Sequence, residues 1–314
     1  MGRFLLARAL LAALVVGFAG ASYWRASQGL EPAALEAKYT TPADRFVELS
    51  GVRVRVRDEG PEGAPVVLLI HGFTLSLESW NAWATNLKRD YRVVRYDLLG
   101  HGLTGPDPEE RYAPQARAAF ARRLLDELGI DRAAVVGNSL GGVVAWRLAA
   151  AAPDRVSALI LISAAAFAEG DAGEEPSDVP AAMRALLLAA PEVGVRAIFE
   201  RSFGDDAKID DARVRLARDM MRRRGNGPAL VRHVETYALP DPTAALGEIA
   251  APTLVMSGED DAIVPLATAR GLADAIDGAR LVIYPGVGHL AHEEIPAVSV
   301  LDARALLAQT IAAE

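Results

Sequence analysis

Gly137-Asn-Ser-Leu-Gly141 sets a serine between two glycines, with a third, Gly142, directly after. A serine hydroxyl is a weak nucleophile until a neighbouring base takes its proton. Glycines on both sides let the chain turn sharply and push that hydroxyl outward. The apolar run Ala133–Val136 precedes the motif and Leu140–Ala151 follows it, so Ser139 belongs on a strand-to-helix turn. The positive end of the helix there favours developing negative charge.

The base must come from five histidines, His71, His101, His233, His289 and His292. His289, in Gly286-Val-Gly-His-Leu290, follows the apolar run Arg280–Tyr284. Its flanking glycine suits a loop that presents a side chain. His292 is expected at the surface. An orienting carboxylate fixes the tautomer of such a base. Gly258-Glu-Asp-Asp-Ala-Ile-Val-Pro265 follows the run Thr253–Ser257, and both Asp260 and Asp261 qualify. A tetrahedral intermediate also needs N–H donors for its oxyanion. Leu140 N–H, next after the serine, is one. Phe73 N–H, in His71-Gly-Phe-Thr74, is the expected second, with Gly72 allowing close approach. His71 is expected to pin this loop without exchanging protons. Gly137, Asn138 and Gly141 are expected to support the turn.

These residues require a scaffold. Phe46–Leu49 and Val52–Arg57 read as paired strands around Ser50-Gly51, and Val66–Ile70 as a buried strand. Further strands are expected at Arg92–Tyr96, Ala133–Gly137, Ala158–Ser163, Thr253–Ser257 and Arg280–Tyr284. Helices are expected at Ser76–Arg89, Pro114–Leu128, Leu140–Ala151, Leu266–Ile276 and Pro296–Ala313. This alternation predicts an α/β fold: a mostly parallel sheet with helices on both faces. The candidate residues then lie at the carboxyl ends of strands, where open α/β sheets build sites. Between Ser163 and Pro252 the rhythm breaks, with helical segments at Ala181–Leu188, Val193–Phe203 and Ala212–Arg224. Residues 165–248 are therefore read as an inserted helical cap, between core segments 46–164 and 249–314.

The chain has 314 residues, 51% hydrophobic and 24% charged, which is ordinary globular composition. A net charge of −8 without a basic stripe argues against nucleic acid as a partner. The run Arg222-Arg223-Arg224 is read as a solvated helix face. The absence of cysteine excludes disulfides, thiol catalysis and thiolate zinc sites. At the N-terminus, Arg3 and Arg8 precede the apolar run Ala9–Ala21, and Tyr23, Trp24 and Arg25 follow. Residues 1–25 are read as a membrane anchor, with the catalytic domain on the non-cytoplasmic side. Phe4 to Trp24 spans 21 residues, enough for a helix that needs about 20. The other reading is a signal peptide cleaved after Ala19-Gly20-Ala21, giving a secreted or periplasmic protein. Residues 26–45 are read as a linker.

Taken together these motifs resemble the α/β-hydrolase superfamily over about residues 43–314. His71-Gly72-Phe73 is similar to its HG-x oxyanion motif, and Asp97-Leu-Leu-Gly-His-Gly102 to its D-x-x-G-x-G loop. Gly258-x-x-Asp261-x-x-x-Pro265 matches G-x-x-D-x-x-x-P and selects Asp261. Gly288-His289 with Glu294-Ile-Pro296 matches G-H-x-x-x-x-E-x-P and selects His289. The order Ser139, Asp261, His289 is that of the superfamily triad. The resemblance implies a serine esterase acting through an acyl-enzyme on a small to medium, largely apolar ester, with no cofactor or metal. Asp at the elbow marks epoxide hydrolases and haloalkane dehalogenases, so Ser139 argues against both. Gly-Asn138-Ser139 also resembles the meta-cleavage-product hydrolases, which cut carbon–carbon bonds; those usually carry Trp after the catalytic His, where this chain has Leu290. His71 to Trp80 looks like the cofactor-free haloperoxidase and perhydrolase branch. A non-catalytic binding module is the alternative outside enzymes, and the three filled triad positions argue against it.

Overall fold

A computed structural model describes residues 28–168, 173, 175 and 178–311. The anchor-or-signal segment, residues 1–25, lies outside the described residues. Among those described, no helix is long and apolar enough to cross a membrane.

The sheet strands are β1 (Asp44–Leu49), β2 (Val52–Glu59), β3 (Val66–Ile70), β4 (Arg92–Tyr96), β5 (Ala133–Asn138), β6 (Val156–Ile162), β7 (Thr253–Gly258) and β8 (Arg280–Tyr284). Their order is β1-β2-β4-β3-β5-β6-β7-β8. β1 and β2 pair antiparallel, as does β2 with β4, and every later pairing is parallel. The helices are α1 (Pro32–Tyr39), α2 (Asn81–Leu87), α3 (Pro114–Glu127), α4 (Leu140–Ala151), α5 (Ala181–Ala189), α6 (Glu192–Ser202), α7 (Asp211–Met221), α8 (Asn226–Thr236), α9 (Thr243–Gly247), α10 (Leu266–Ala275), α11 (Ala291–Glu294) and α12 (Pro296–Ile311). Proline opens α1, α3 and α12 at a position whose N–H has no helical partner anyway.

Strand side chains alternate between faces. In β3, Leu68 and Ile70 join a core with Leu124 of α3, Trp146 of α4 and Leu272 of α10. Val67 and Leu69 face the other way, into a core with Trp83 and Leu87 of α2 and Val300 and Leu307 of α12. Each such side chain contributes about 1.5–3 kcal/mol by leaving water. The sheet is thus covered on both faces, so both faces of its central strands are apolar. Helices α5 to α9 lie between β6 and β7 in sequence; Leu246 of α9 joins the first core, while α5 to α8 build a third. In it Leu187, Phe199, Val214, Met221 and Leu230 meet Leu75 and Leu290 from the sheet side.

Three sequence expectations are corrected. The segment read as a linker contains α1, tied to the insertion by Lys38 Nζ and Tyr39 Oη at 2.8 and 2.7 Å from Asp219. The Arg222–Arg224 run lies beyond α7 and holds this N-terminal segment: Leu30 N–H donates to Arg222 O and Arg224 N–H to Leu30 O. Apolar contacts of Leu35 with Leu103 and Met220 explain the docking, which charge pattern alone does not reveal. Ser76–Arg89 is a 3-10 turn, Leu77–Trp80, followed by the shorter α2.

Candidate active site

Ser139 joins β5 to α4 with φ +53° and ψ −118°. Such backbone costs a non-glycine residue about 1–3 kcal/mol and persists only when its surroundings hold it. Here they do. Ser139 N–H donates to Ile162 O at 3.0 Å, tying the turn to β6. A methyl group at Gly141 would lie 2.1 Å from Ile70 O, and one at Gly137 2.2 Å from Gly141 O. One at Gly72 would lie 2.8 Å from Asn138 Oδ1. The turn and the loop after β3 therefore meet backbone to backbone.

The loop after β8 presents His289, and the loop after β7 presents Asp261. His289 Nδ1 lies 2.9 Å from Asp261 Oδ2 and 3.1 Å from Oδ1. Burial alone would push the Asp261 carboxyl up. The bond to His289 and the N–H groups of Val264 and Ile263 outweigh it and hold the carboxyl below its ordinary value. Asp260 is exposed and meets the His loop only through its backbone, at Val287 O. Asn138 Nδ2 bridges Ile162 O at 3.1 Å and His289 O at 3.2 Å, joining the serine turn to the histidine loop.

Ser139 and His289 line one cavity with Phe73, Leu75, Ile198 and Phe199. Among the described residues the Ser139 hydroxyl makes no hydrogen bond. Neither Phe73 N–H nor Leu140 N–H donates to another group of the described chain. Leu140 N–H is one of the orphan donors of a helix N-terminus. Phe73 and Ser139, the residue before Leu140, both border the cavity.

His71 is fully buried. Its Nδ1 donates to Gly72 O at 2.8 Å, and its Nε2 accepts from Leu98 N–H at 3.0 Å. Both nitrogens are occupied in the neutral ring, and burial lowers it to about 4. It fastens the loop carrying Phe73 to the loop after β4. That second loop is held by Asp97, which accepts from Leu77 N–H at 2.8 Å and Leu103 N–H at 2.7 Å. Burial raises Asp97 to about 6. His101 meets the Phe73 ring edge-to-face at 5.7 Å, and His233 packs on it at a tilt at 4.8 Å. Burial depresses both well below the imidazole range. His292, expected at the surface, is fully buried and stacked on Trp80 at 4.2 Å. It lies on the short helix α11, whose inward face no sequence periodicity could reveal over four residues.

Two features escaped the sequence. Ser202 O, at the end of α6, accepts the His289 N–H at 2.7 Å. Ile198 and Phe199 of the same helix form the wall opposite Ser139. Neither has a sequence signal beyond helical periodicity. Among the described residues, no group of three or more His, Asp or Glu side chains is placed to hold a metal ion. A serine and an imidazole fixed by a carboxylate at one cavity, with the N–H groups of Phe73 and Leu140, unpaired among the described residues, on the loop after β3 and the serine turn, form an arrangement suited to acyl transfer.

Comparison with known proteins gives the same direction. A family model described as the alpha/beta hydrolase fold matches residues 65–296. The dihydrolipoyllysine-residue acetyltransferase component of the acetoin cleaving system of Cupriavidus necator is 32% identical, over 82% of this chain and 70% of that protein. The 2-hydroxy-6-oxo-6-(2'-aminophenyl)hexa-2,4-dienoic acid hydrolase of Metapseudomonas resinovorans is 29% identical, over 81% of this chain and 87% of that one. The solved structure of a thermophilic esterase from Thermogutta terrifontis superposes with a TM-score of 0.70 at 25% identity, over 85% of this chain and 98% of that one.

Proposed function

The chain belongs to the alpha/beta hydrolase family and is a hydrolase, and on that premise we propose that it cleaves a carboxylic ester with Ser139 as nucleophile. The observation that carries this reading is the His289–Asp261 pair facing the cavity that Ser139 lines. Ser139 Oγ attacks the carbonyl carbon while His289 Nε2 takes its proton. Asp261 holds the Nδ1 proton, fixes the tautomer and stabilises the imidazolium. Phe73 N–H and Leu140 N–H receive the oxyanion, each worth about 3 kcal/mol of barrier. His289 returns the proton to the departing alcohol, and a water repeats the sequence on the acyl-enzyme. The test is turnover of p-nitrophenyl esters and of one vinylogous 1,5-diketone, with Ser139→Ala as control. Ester turnover lost in the control supports the reading; turnover of the diketone alone overturns it.

One observation favours that second substrate. Arg213 gives Nε and Nη2 to Glu293 at 2.7 and 2.9 Å, but its buried Nη1 has no partner. The guanidinium lies 5.4 Å from the ring of Phe199, which lines the cavity, while Arg213 itself does not line it. The Metapseudomonas resinovorans relative acts, by its name, on a dienoic acid, and a guanidinium suits a carboxylate.

We further propose that residues 1–25 anchor the protein in a membrane with the domain on the non-cytoplasmic side. Basic, apolar and aromatic residues in that order support it. Release into a carbonate wash would overturn it.

A further inference from the structure

The cavity beside Ser139 has a volume of only about 30 Å³. A single water needs about 10–15 Å³ on that measure, so the space beside Ser139 is narrow, and it is partly open to solvent. Ile198 and Phe199 line it from α6, and Leu75 from the loop after β3. Phe199 is 2% exposed and packed among Val195, Phe203 and Val214, so its ring is held in place.

The wall is also fastened to the base. Glu294 is fully buried at its side chain. Its Oε2 accepts Gly288 N–H at 2.8 Å and Gly204 N–H at 3.1 Å, and its Oε1 accepts Asp205 N–H at 3.1 Å. One carboxylate therefore joins the loop of His289 to the turn that ends α6. Ser202 O and His289 N–H make a second link at 2.7 Å. The two backbones are too close to slide: a methyl group at Gly288 would lie 2.5 Å from Ser202 O, and one at Gly204 2.6 Å from Gly286 O. An outward swing of α6 would drag the base with it.

We infer that this enzyme selects esters of short acyl chains, with Phe199 setting the length limit and Glu294 positioning the wall against the base. The inference rests on the ester-hydrolase reading above. A longer acyl group directed at this wall must displace Phe199 or pull α6 and His289 out of line. An added methylene in a fixed apolar pocket changes selectivity by tenfold or more. Glu294 touches no reacting atom; it acts through the wall and His289.

The test is kcat/KM of the full-length protein on p-nitrophenyl acetate, butyrate, hexanoate and octanoate, with thermal melts of every variant. The wild type should lose at least tenfold from acetate to hexanoate. Phe199→Ala should raise the hexanoate-to-acetate ratio at least tenfold, and Phe199→Leu by less. Glu294→Gln, with one acceptor oxygen fewer for three N–H donors, should raise the same ratio and lower kcat on acetate. Glu294→Asp should recover part of both. A purely structural role for Glu294 would lower the melting temperature without moving the ratio, and would overturn its part. A wild type that prefers octanoate, or a ratio unmoved by Phe199→Ala, would overturn the size limit while leaving the ester reading intact. A wild type that turns over no ester would overturn both.

Discussion

Two regions of the molecule face each other across the cavity. Ser139, Asp261 and His289 stand on loops at the carboxyl ends of β5, β7 and β8. Ile198, Phe199 and Ser202 stand on α6 in the insertion. On the sheet side, backbone lies against backbone: Gly141 under Ile70 O, Ser139 N–H on Ile162 O. Only certain residue types fit there. The insertion is held by side chains such as Leu187, Val214 and Leu230 packing on one another. Several apolar residues of similar volume would serve there equally well. The chemistry is thus built where sequence is most constrained, and the body of the insertion where it is less so, apart from the turn after α6 that meets the histidine loop.

That contrast sets the largest expected effect. Gly141→Ala should cost more than about 4 kcal/mol, because its methyl has no way past Ile70 O. Leu187→Met in the insertion should cost less than about 1.5 kcal/mol. Denaturant melts of the two variants compare the regions directly, and equal costs would break the comparison.

Next is Asp261→Asn, which should lower kcat by about 10⁴ with little change in stability, whereas exposed Asp260→Asn should change neither. Loss of activity in the Asp260 variant alone would place the carboxylate wrongly.

A third effect spans both regions. Burial holds His71 at about 4, and His101, His233 and His292 well below the usual imidazole value. The unfolded chain takes these protons near pH 6.5 and the folded chain does not. Stability is therefore full above pH 6.5 and falls as pH drops toward 4, by about 1.4 kcal/mol per pH unit for each histidine. Asp97, raised to about 6, works in the opposite sense between about 6 and its unfolded value near 4. His292→Phe keeps the contact with Trp80 and should flatten the slope by one proton. Urea midpoints at pH 7, 6 and 5 would show it; an unchanged slope would mean that His292 is protonated in the fold.

The smallest effect is the most diagnostic of strain. Ser139→Gly should stabilise the protein by about 1 kcal/mol while abolishing turnover, since glycine accepts φ +53° without penalty. A destabilised variant would show that the turn carries no strain.

Legibility followed the same division. The strands and most helices packed on them lie where alternation and apolar runs place them, and α4 and β8 have the expected bounds, while α2 is shorter than expected. The serine turn was legible because its glycines are forced by contact. The choice between Asp260 and Asp261 needed the motif, because both residues share a type and a loop. α1, α8 and α9 carry no clear sequence signal, because each is stabilised by partners far away in sequence. Ser202 contributes a carbonyl, which every residue has, so no sequence pattern could single it out.

The most direct test of the central claim is reaction of the folded protein with a fluorophosphonate probe, followed by mapping of the labelled peptide. One adduct is expected, on Ser139, absent in Ser139→Ala and strongly slowed in His289→Gln. A protein that stays unlabelled, or that labels equally well without Ser139, would contradict it.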